Sequence, residues 1–334
     1  MRHPRTLSYF VLAAALIASC AVLAHGQDKP EPVDPGEVIR VDTKLVDLKV
    51  SVLCPRTTTM PELKPTDFTV AEDGRPQTVQ FFNAAAAPFD LILLLDVSGS
   101  SSDKLKMIRK SAERFINAAR PTDRIAVLTF TSQLTLVAPL NIDRDQLKKN
   151  LKNIDEGVGG TNFWDSLRYV LTHLPSERAT GRRTAIVVMT DGVDNALPGE
   201  RGDGSVTTFP QLLEFVRSSP AMVLPIYLDT EQEMLKKSRF QMSAESYATA
   251  REQLKQIATE GGGSFYYARR IEDLNGVYEQ VIHDLGMVYS IGYAADRDPD
   301  GAWRKIAVAI PGHPELMVRT RPGYYAKPEG ANAQ

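Results

Sequence analysis

The stretch "FDLILLLDVSGSSSDKL", residues 89–105, decides the fold. An apolar run ends abruptly at Asp96, and Ser98 and Ser100 follow, one residue apart. Apolar residues then return at helical spacing, as Leu105, Ile108, Ala112, Phe115, Ile116 and Ala119. A strand apolar throughout is covered on both faces, as in a parallel sheet. The segment therefore reads as a buried strand, an oxygen-rich loop and a helix.

The same rhythm continues toward the C-terminus. "RIAVLTF" is a second buried strand, "LTLVAPL" a short one, and a helix begins near Asp143. "NFWDSLRYVLTHL" places Trp164, Leu167, Val170, Leu171 and Leu174 on one helix face, stopped by Pro175. "TAIVVMTD" is another buried strand ending in an acid. "AMVLPIYLD" follows, and Pro225 within it predicts a bulge because proline lacks a ladder donor. A helix over about 243–260, the strand "SFYYA" and a helix over about 271–285 complete the alternation. This predicts an α/β fold with a doubly wound, mostly parallel, Rossmann-like sheet and helices on both faces.

Both flanks read as β. "LVDLKVSVL" alternates Val46, Leu48, Val50 and Val52 with polar residues, as a half-buried strand does. "DFTVAEDGRPQTVQFF" reads as a hairpin about Asp73-Gly74, with Phe68 and Val70 before the turn and Val79 and Phe81 after it. "VYSIGYAAD", "WRKIAVAI" and "LMVRTRPGYY" are strands separated by turns. Neither flank is large enough to bury a core alone, so the two are expected to pack as a β-sandwich with the α/β part inserted between them. The expected limits are 38–86, 88–286 and 287–326, followed by a tail over 327–334.

The N-terminus reads as a secretory signal over 1–26: basic residues, an apolar core, then small residues with Ala24 and Gly26. Residues 27–37, "QDKPEPVDPGE", form a Pro-rich linker. "IASC" offers a rival, lipidation at Cys20, but the apolar run continues beyond that cysteine and simple cleavage is favoured. The product would be secreted, periplasmic or envelope-associated, touching a membrane only through the signal or a lipid at Cys20. Cys54 then has no second cysteine with which to form an internal disulfide. Of the 334 residues, 43% are hydrophobic and 24% charged, with net charge −2. That balance gives no basic footprint for nucleic acid.

In an open parallel sheet, ligands bind beyond the strand C-termini where the strand order reverses. Asp96 and Asp191 end two strands there, and "GVGGTNFWDSL" delivers Thr161 between them. Asp96, Ser98, Ser100, Thr161 and Asp191 offer oxygen alone, which suits a hard divalent cation: Mg²⁺ first, with Mn²⁺ and Ca²⁺ possible. Three of the five are neutral hydroxyls, leaving the cation room for an acidic group from a partner. Ser101, Asn162 and Asp194 adjoin the motifs and are expected on the rim that the partner touches.

"DVSGS", "GGT" and "TDG", in this order at strand ends, resemble the metal-ion-dependent adhesion site of von Willebrand factor type A domains. With the flanks included, the chain is similar to a bacterial group related to these domains and best known from acidobacterial genomes. The resemblance implies metal-assisted binding of a protein ligand with an acidic side chain. An envelope component with a merely stabilising metal is the alternative. A metal-assisted hydrolase is less favoured, because no nucleophile–base pair and no His or Glu stands beside the motif loops. "GVGG" is no phosphate cradle, since no Gly-Lys-Ser/Thr follows. His173, His283 and His313 lack ligand spacing. Arg201-Gly202-Asp203 matches an integrin-binding tripeptide but reads as a flexible polar loop.

Overall fold

The computed structural model describes residues 45–54, 60–83, 85–99, 102–155, 157, 159–175, 177–231 and 243–326. The signal, Cys20, the linker and the tail lie outside the described residues. The strands in chain order are β1 (Leu45–Leu53), β2 (Thr69–Glu72), β3 (Arg75–Gln77), β4 (Phe81–Asn83), β5 (Phe89–Asp96), β6 (Arg124–Phe130) and β7 (Leu134–Asn141). They continue as β8 (Arg183–Thr190), β9 (Met222–Leu228), β10 (Tyr266–Ala268), β11 (Val288–Ala294), β12 (Trp303–Ala309), β13 (Met317–Arg319) and β14 (Gly323–Tyr325). The helices are α1 (Ser102–Ala118), α2 (Arg144–Asn150), α3 (Phe163–Thr172), α4 (Glu177–Thr180), α5 (Phe209–Ser218), α6 (Ala244–Glu260) and α7 (Leu274–Leu285).

Among the described residues, six strands form the central sheet in the order β10-β9-β8-β5-β6-β7. All pair in parallel except edge strand β7, which runs antiparallel to β6. Every residue of β5 is buried, as its unbroken apolar run requires. Its alternate side chains serve two cores. Leu91, Leu93 and Leu95 pack with Leu105, Ile108 and Phe115 of α1 and Tyr278 of α7. Ile92 and Leu94 pack with Trp164 and Leu167 of α3, Leu212 of α5 and Tyr247 of α6. The chain leaves β5 toward β6 on one side and returns to β8 on the other, so the strand order reverses between β5 and β8.

The flanks form two four-stranded sheets, β13-β1-β11-β4 and β14-β12-β2-β3. They do more than pack. β1 pairs with β11 from Leu45↔Ala294 to Ser51↔Val288, and β2 pairs with β12, so each sheet mixes strands from both chain ends. Between them lies one core of Val46, Leu48, Val50, Phe68, Ile291, Tyr293 and Ile306.

Two expectations are corrected. The hairpin turns at Asp73 (φ 47°) and Gly74 (φ 78°), as Asp-Gly chemistry favours, but its return strand β3 ends at Gln77. The chain then crosses to the opposite sheet, where β4 pairs with β11. Phe82 thereby enters the sandwich core against Phe68 and Tyr289, and Phe81 points outward, 42% exposed. Pro225 causes no bulge: β8 and β9 stay in register from Ala185↔Met222 to Thr190↔Tyr227. On the other side β10 pairs only from Ile226 onward, so no second strand beside Pro225 needs its missing donor.

The sandwich is tied to the base of the α/β part by buried polar groups. Lys49 on β1 reaches Asp47 and, 128 residues away, Glu177 of α4, both at 2.7 Å. Glu177 also accepts from the Thr184 backbone N–H at 2.7 Å. Arg183 donates to the backbone carbonyls of Ala85, Ala87 and Val288 and lies over the Phe89 ring at 4.0 Å.

Candidate metal centre

The C-terminal ends of β5 and β8 stand side by side where the strand order reverses, and they carry the two acids. Asp96 closes β5 and is 9% exposed. Its Oδ1 accepts from the Ser98 backbone N–H at 3.0 Å and from the Ser98 hydroxyl at 2.6 Å. Its Oδ2 accepts from the Thr190 hydroxyl, at the end of β8, at 2.6 Å. The Ser98 Oγ in turn accepts from the Thr161 hydroxyl at 2.8 Å. Asp191 follows Thr190; its Oδ1 accepts from Val193 N–H at 3.2 Å and its Oδ2 from the Thr230 hydroxyl at 2.7 Å. The fold thus brings Asp96, Ser98 and Thr161 into one hydrogen-bonded chain, joined to the Asp191 turn through Thr190. Ser100 and Ser101 lie outside the described residues.

Glycines let the Thr161 loop come this close. A Cβ on Gly157 would stand 2.7 Å from the Val97 carbonyl oxygen, immediately after Asp96, and 2.2 Å from Thr131 Cγ2. A Cβ on Gly160 would stand 2.8 Å from Asn195 Nδ2. The "GVGG" run therefore serves close backbone approach.

The family model described as the von Willebrand factor type A domain matches residues 91–193, from within β5 to just past Asp191. It spans both acids and Thr161. The chain carries a von Willebrand factor type A (VWA) domain. An uncharacterized protein of Borreliella burgdorferi is 31% identical over 121 residues, 33% of this chain and 34% of that one. An E3 ubiquitin-protein ligase of Arabidopsis thaliana is 27% identical over 124 residues, 32% of this chain and 18% of that one. The chain thus spans about a third of the length of the first of these curated relatives and under a fifth of the second. Among solved structures, a von Willebrand factor type A protein of Catenulispora acidiphila has a TM-score of 0.47 at 13% identity, covering 86% of this chain and 64% of that one. Proximal thread matrix protein 1 from the mussel byssus, with a zinc-occupied MIDAS motif, has a TM-score of 0.44 at 17% identity, covering 59% and 48%.

The donor set of this VWA domain fits a hard cation. Asp96, Ser98, Thr161 and Asp191 present carboxylate and hydroxyl oxygens. Among the described residues no three His, Cys, Asp or Glu side chains gather as a metal site, so the set is distinguished by its hydroxyls. Burial first, and the neighbouring charge of Asp191 second, push the Asp96 carboxyl from 3.8 up to about 6, against the opposing hydrogen bonds of Ser98 and Thr190. Two acids held together in a desolvated place favour a proton or a cation between them.

The sign of the pH effect follows. The folded chain binds a proton at Asp96 that the unfolded chain releases, so this group adds stability below pH 4 that is lost as pH rises through about 6. In EDTA, wild type should lose roughly 2 kcal/mol more than Asp96→Asn between pH 4 and pH 7. Denaturant unfolding of both proteins across that range checks this, and parallel profiles would refute it.

Of the expected rim residues, Asn162 is half-buried at the start of α3, with its Nδ2 donating to the Ser132 carbonyl at 3.3 Å. Asp194 is not on the rim. It is fully buried and accepts from the backbone N–H groups of Trp164, Ala196 and Ser205 and from the Ser205 hydroxyl, at 2.6–3.0 Å. Its carboxylate caps the N-terminal end of α3 by taking the Trp164 N–H, a helix donor that faces no carbonyl. Three residues holding the donors escaped the sequence reading: Thr190, Thr230 and Asn195. Thr190 opens the "TDG" motif and Asn195 lies three residues beyond it, so both were within reach of that reading. Thr230 comes from the end of β9, 39 residues from the acid it contacts, with no local signal.

Proposed function

We propose that this chain is a secreted or envelope-associated binding protein whose VWA domain holds a divalent cation, Mg²⁺ first, through Asp96, Ser98, Ser100, Thr161 and Asp191. Through that cation it engages an acidic group on a protein partner. The metal-bearing part spans 88–286, with 38–86 and 287–326 as the sandwich that presents it. The observation that carries the reading is the convergence of Asp96, Ser98 and Thr161 in one hydrogen-bonded chain beside the Asp191 turn. Five protein oxygens against a shell of about six leave one place for an oxygen from outside. The envelope placement rests on the leader pattern of residues 1–26. Among the described residues, no helix is long and apolar enough to cross a membrane.

The test is capture from an envelope extract on the immobilised full chain, in Mg²⁺ and in EDTA, with Asp96→Ala alongside. A protein retained in Mg²⁺ and lost both in EDTA and on the variant is the expected outcome. Retention that survives EDTA and the substitution would instead support an assembly component with a merely stabilising metal.

A further inference from the structure

Asn195 stands between the Thr161 loop and an exposed loop that the metal chemistry does not use. Its backbone N–H donates to the Thr161 carbonyl at 3.0 Å, and its side-chain Oδ1 accepts from the Thr161 N–H at 2.8 Å. Both backbone polar groups of Thr161 are thus held by one residue. The other end of the same amide, Nδ2, donates to the Arg201 carbonyl at 2.5 Å. Arg201, Gly202 and Asp203 are exposed. This loop is not the loose polar segment its composition suggests. Its base is closed by Ser205, whose N–H and hydroxyl both donate to buried Asp194. Its backbone is pressed against the Asn195–Ala196 segment: a Cβ on Gly202 (φ 100°) would stand 2.9 Å from Asn195 Nδ2, and one on Gly204 would stand 1.9 Å from the Ala196 nitrogen. A Cβ on Gly160, next to Thr161, would meet the same amide, 2.8 Å from its Nδ2.

We infer that Asn195 is a positioning residue of the metal centre, coupling the order of loop 199–204 to the placement of Thr161 and so to cation affinity. The inference rests on the proposed metal reading. One planar amide holds Thr161 with its oxygen and the exposed loop with its nitrogen. A displacement of the loop therefore rotates the group that fixes a metal donor, whose hydroxyl already reaches Ser98. Coupling is reciprocal: a partner that steadies the loop raises cation affinity, and the cation steadies the loop. The Arg201–Asp203 tip is then part of the surface a partner reads.

The test uses the full chain with Asn195→Ala, Asn195→Asp and Gly202→Ala. Amide hydrogen exchange is followed in EDTA, and Mn²⁺ alone is titrated by calorimetry. Asn195→Ala and Gly202→Ala should speed exchange at the Thr161 amide and weaken Mn²⁺ binding by about 10- to 100-fold, the range expected for a group that orients a metal ligand. Asn195→Asp keeps an acceptor for Thr161 but lacks the donor to Arg201. It should leave Thr161 protected while residues 199–204 exchange faster. Wild-type Mn²⁺ affinity in Asn195→Ala, or unchanged Thr161 exchange in Gly202→Ala, would overturn the inference. If wild type takes up no Mn²⁺, the metal reading fails, and the Thr161 exchange rates in EDTA still decide whether Asn195 links the two loops.

Discussion

Mg²⁺ or Mn²⁺ is expected to raise the unfolding temperature of the full chain by several degrees, and Asp96→Ala should abolish the rise. A ligand at a hundredfold above its Kd stabilises the folded state by about 2.7 kcal/mol, and each kcal/mol moves Tm by roughly 1–2 °C in a chain of about 300 residues. Asp96 is the residue to remove because it is buried and gathers Ser98 and Thr190 around its two oxygens. Without it neither the charge nor the orientation of the Ser98 hydroxyl persists. In EDTA the variant should not unfold far below wild type, because ionised Asp96 is itself disfavoured by burial and by Asp191. Thermal scans in EDTA, Mg²⁺, Mn²⁺ and Ca²⁺ on both proteins check this. An equal cation shift in the variant would place the cation elsewhere.

Lys49→Ala should cost about 3–5 kcal/mol, the usual penalty for leaving a buried charge without its partner. The Lys49 side chain is 4% exposed and that of Glu177 12%. Burial already pushes the Glu177 carboxyl above its ordinary range, and the Lys49 ammonium is the main force opposing that push. Removing the ammonium leaves Glu177 and Asp47 facing each other in a place with little water. The double variant Lys49→Met with Glu177→Gln should recover most of the loss, since replacing both charges removes the desolvation cost as well as the attraction. Urea unfolding of the single and double variants measures this. A single-variant loss under about 1 kcal/mol would mean that the junction does not depend on this pair. Further ties at that junction run from Arg183 to the carbonyls of Ala85 and Val288, so the sandwich should stay docked in the double variant.

The sequence by itself determined what depends on local pattern. A short apolar run without alternation, bounded by turn-forming residues, reads as a strand covered on both faces, and β5 is buried at every position. Helical spacing from Leu105 to Ala119 gave α1 and its buried face. Asp73-Gly74 supplied its own turn, and the oxygen-bearing residues at strand ends were legible as motifs. Tertiary structure alone decided who meets whom across long separations. Phe81 and Phe82 continue an alternating run, yet the chain leaves the hairpin after Gln77 because Phe82 completes a core built on the opposite sheet. Pro225 is tolerated because β10 begins one residue later. Asp194 sits three residues from Asp191, yet its carboxylate is taken up by α3 and Ser205. Thr230 reaches Asp191 only because β9 lies beside β8. Hydrophobic period reports whether a residue is buried. The partner of a buried polar group depends on strand order and register, which only the packed sheets fix.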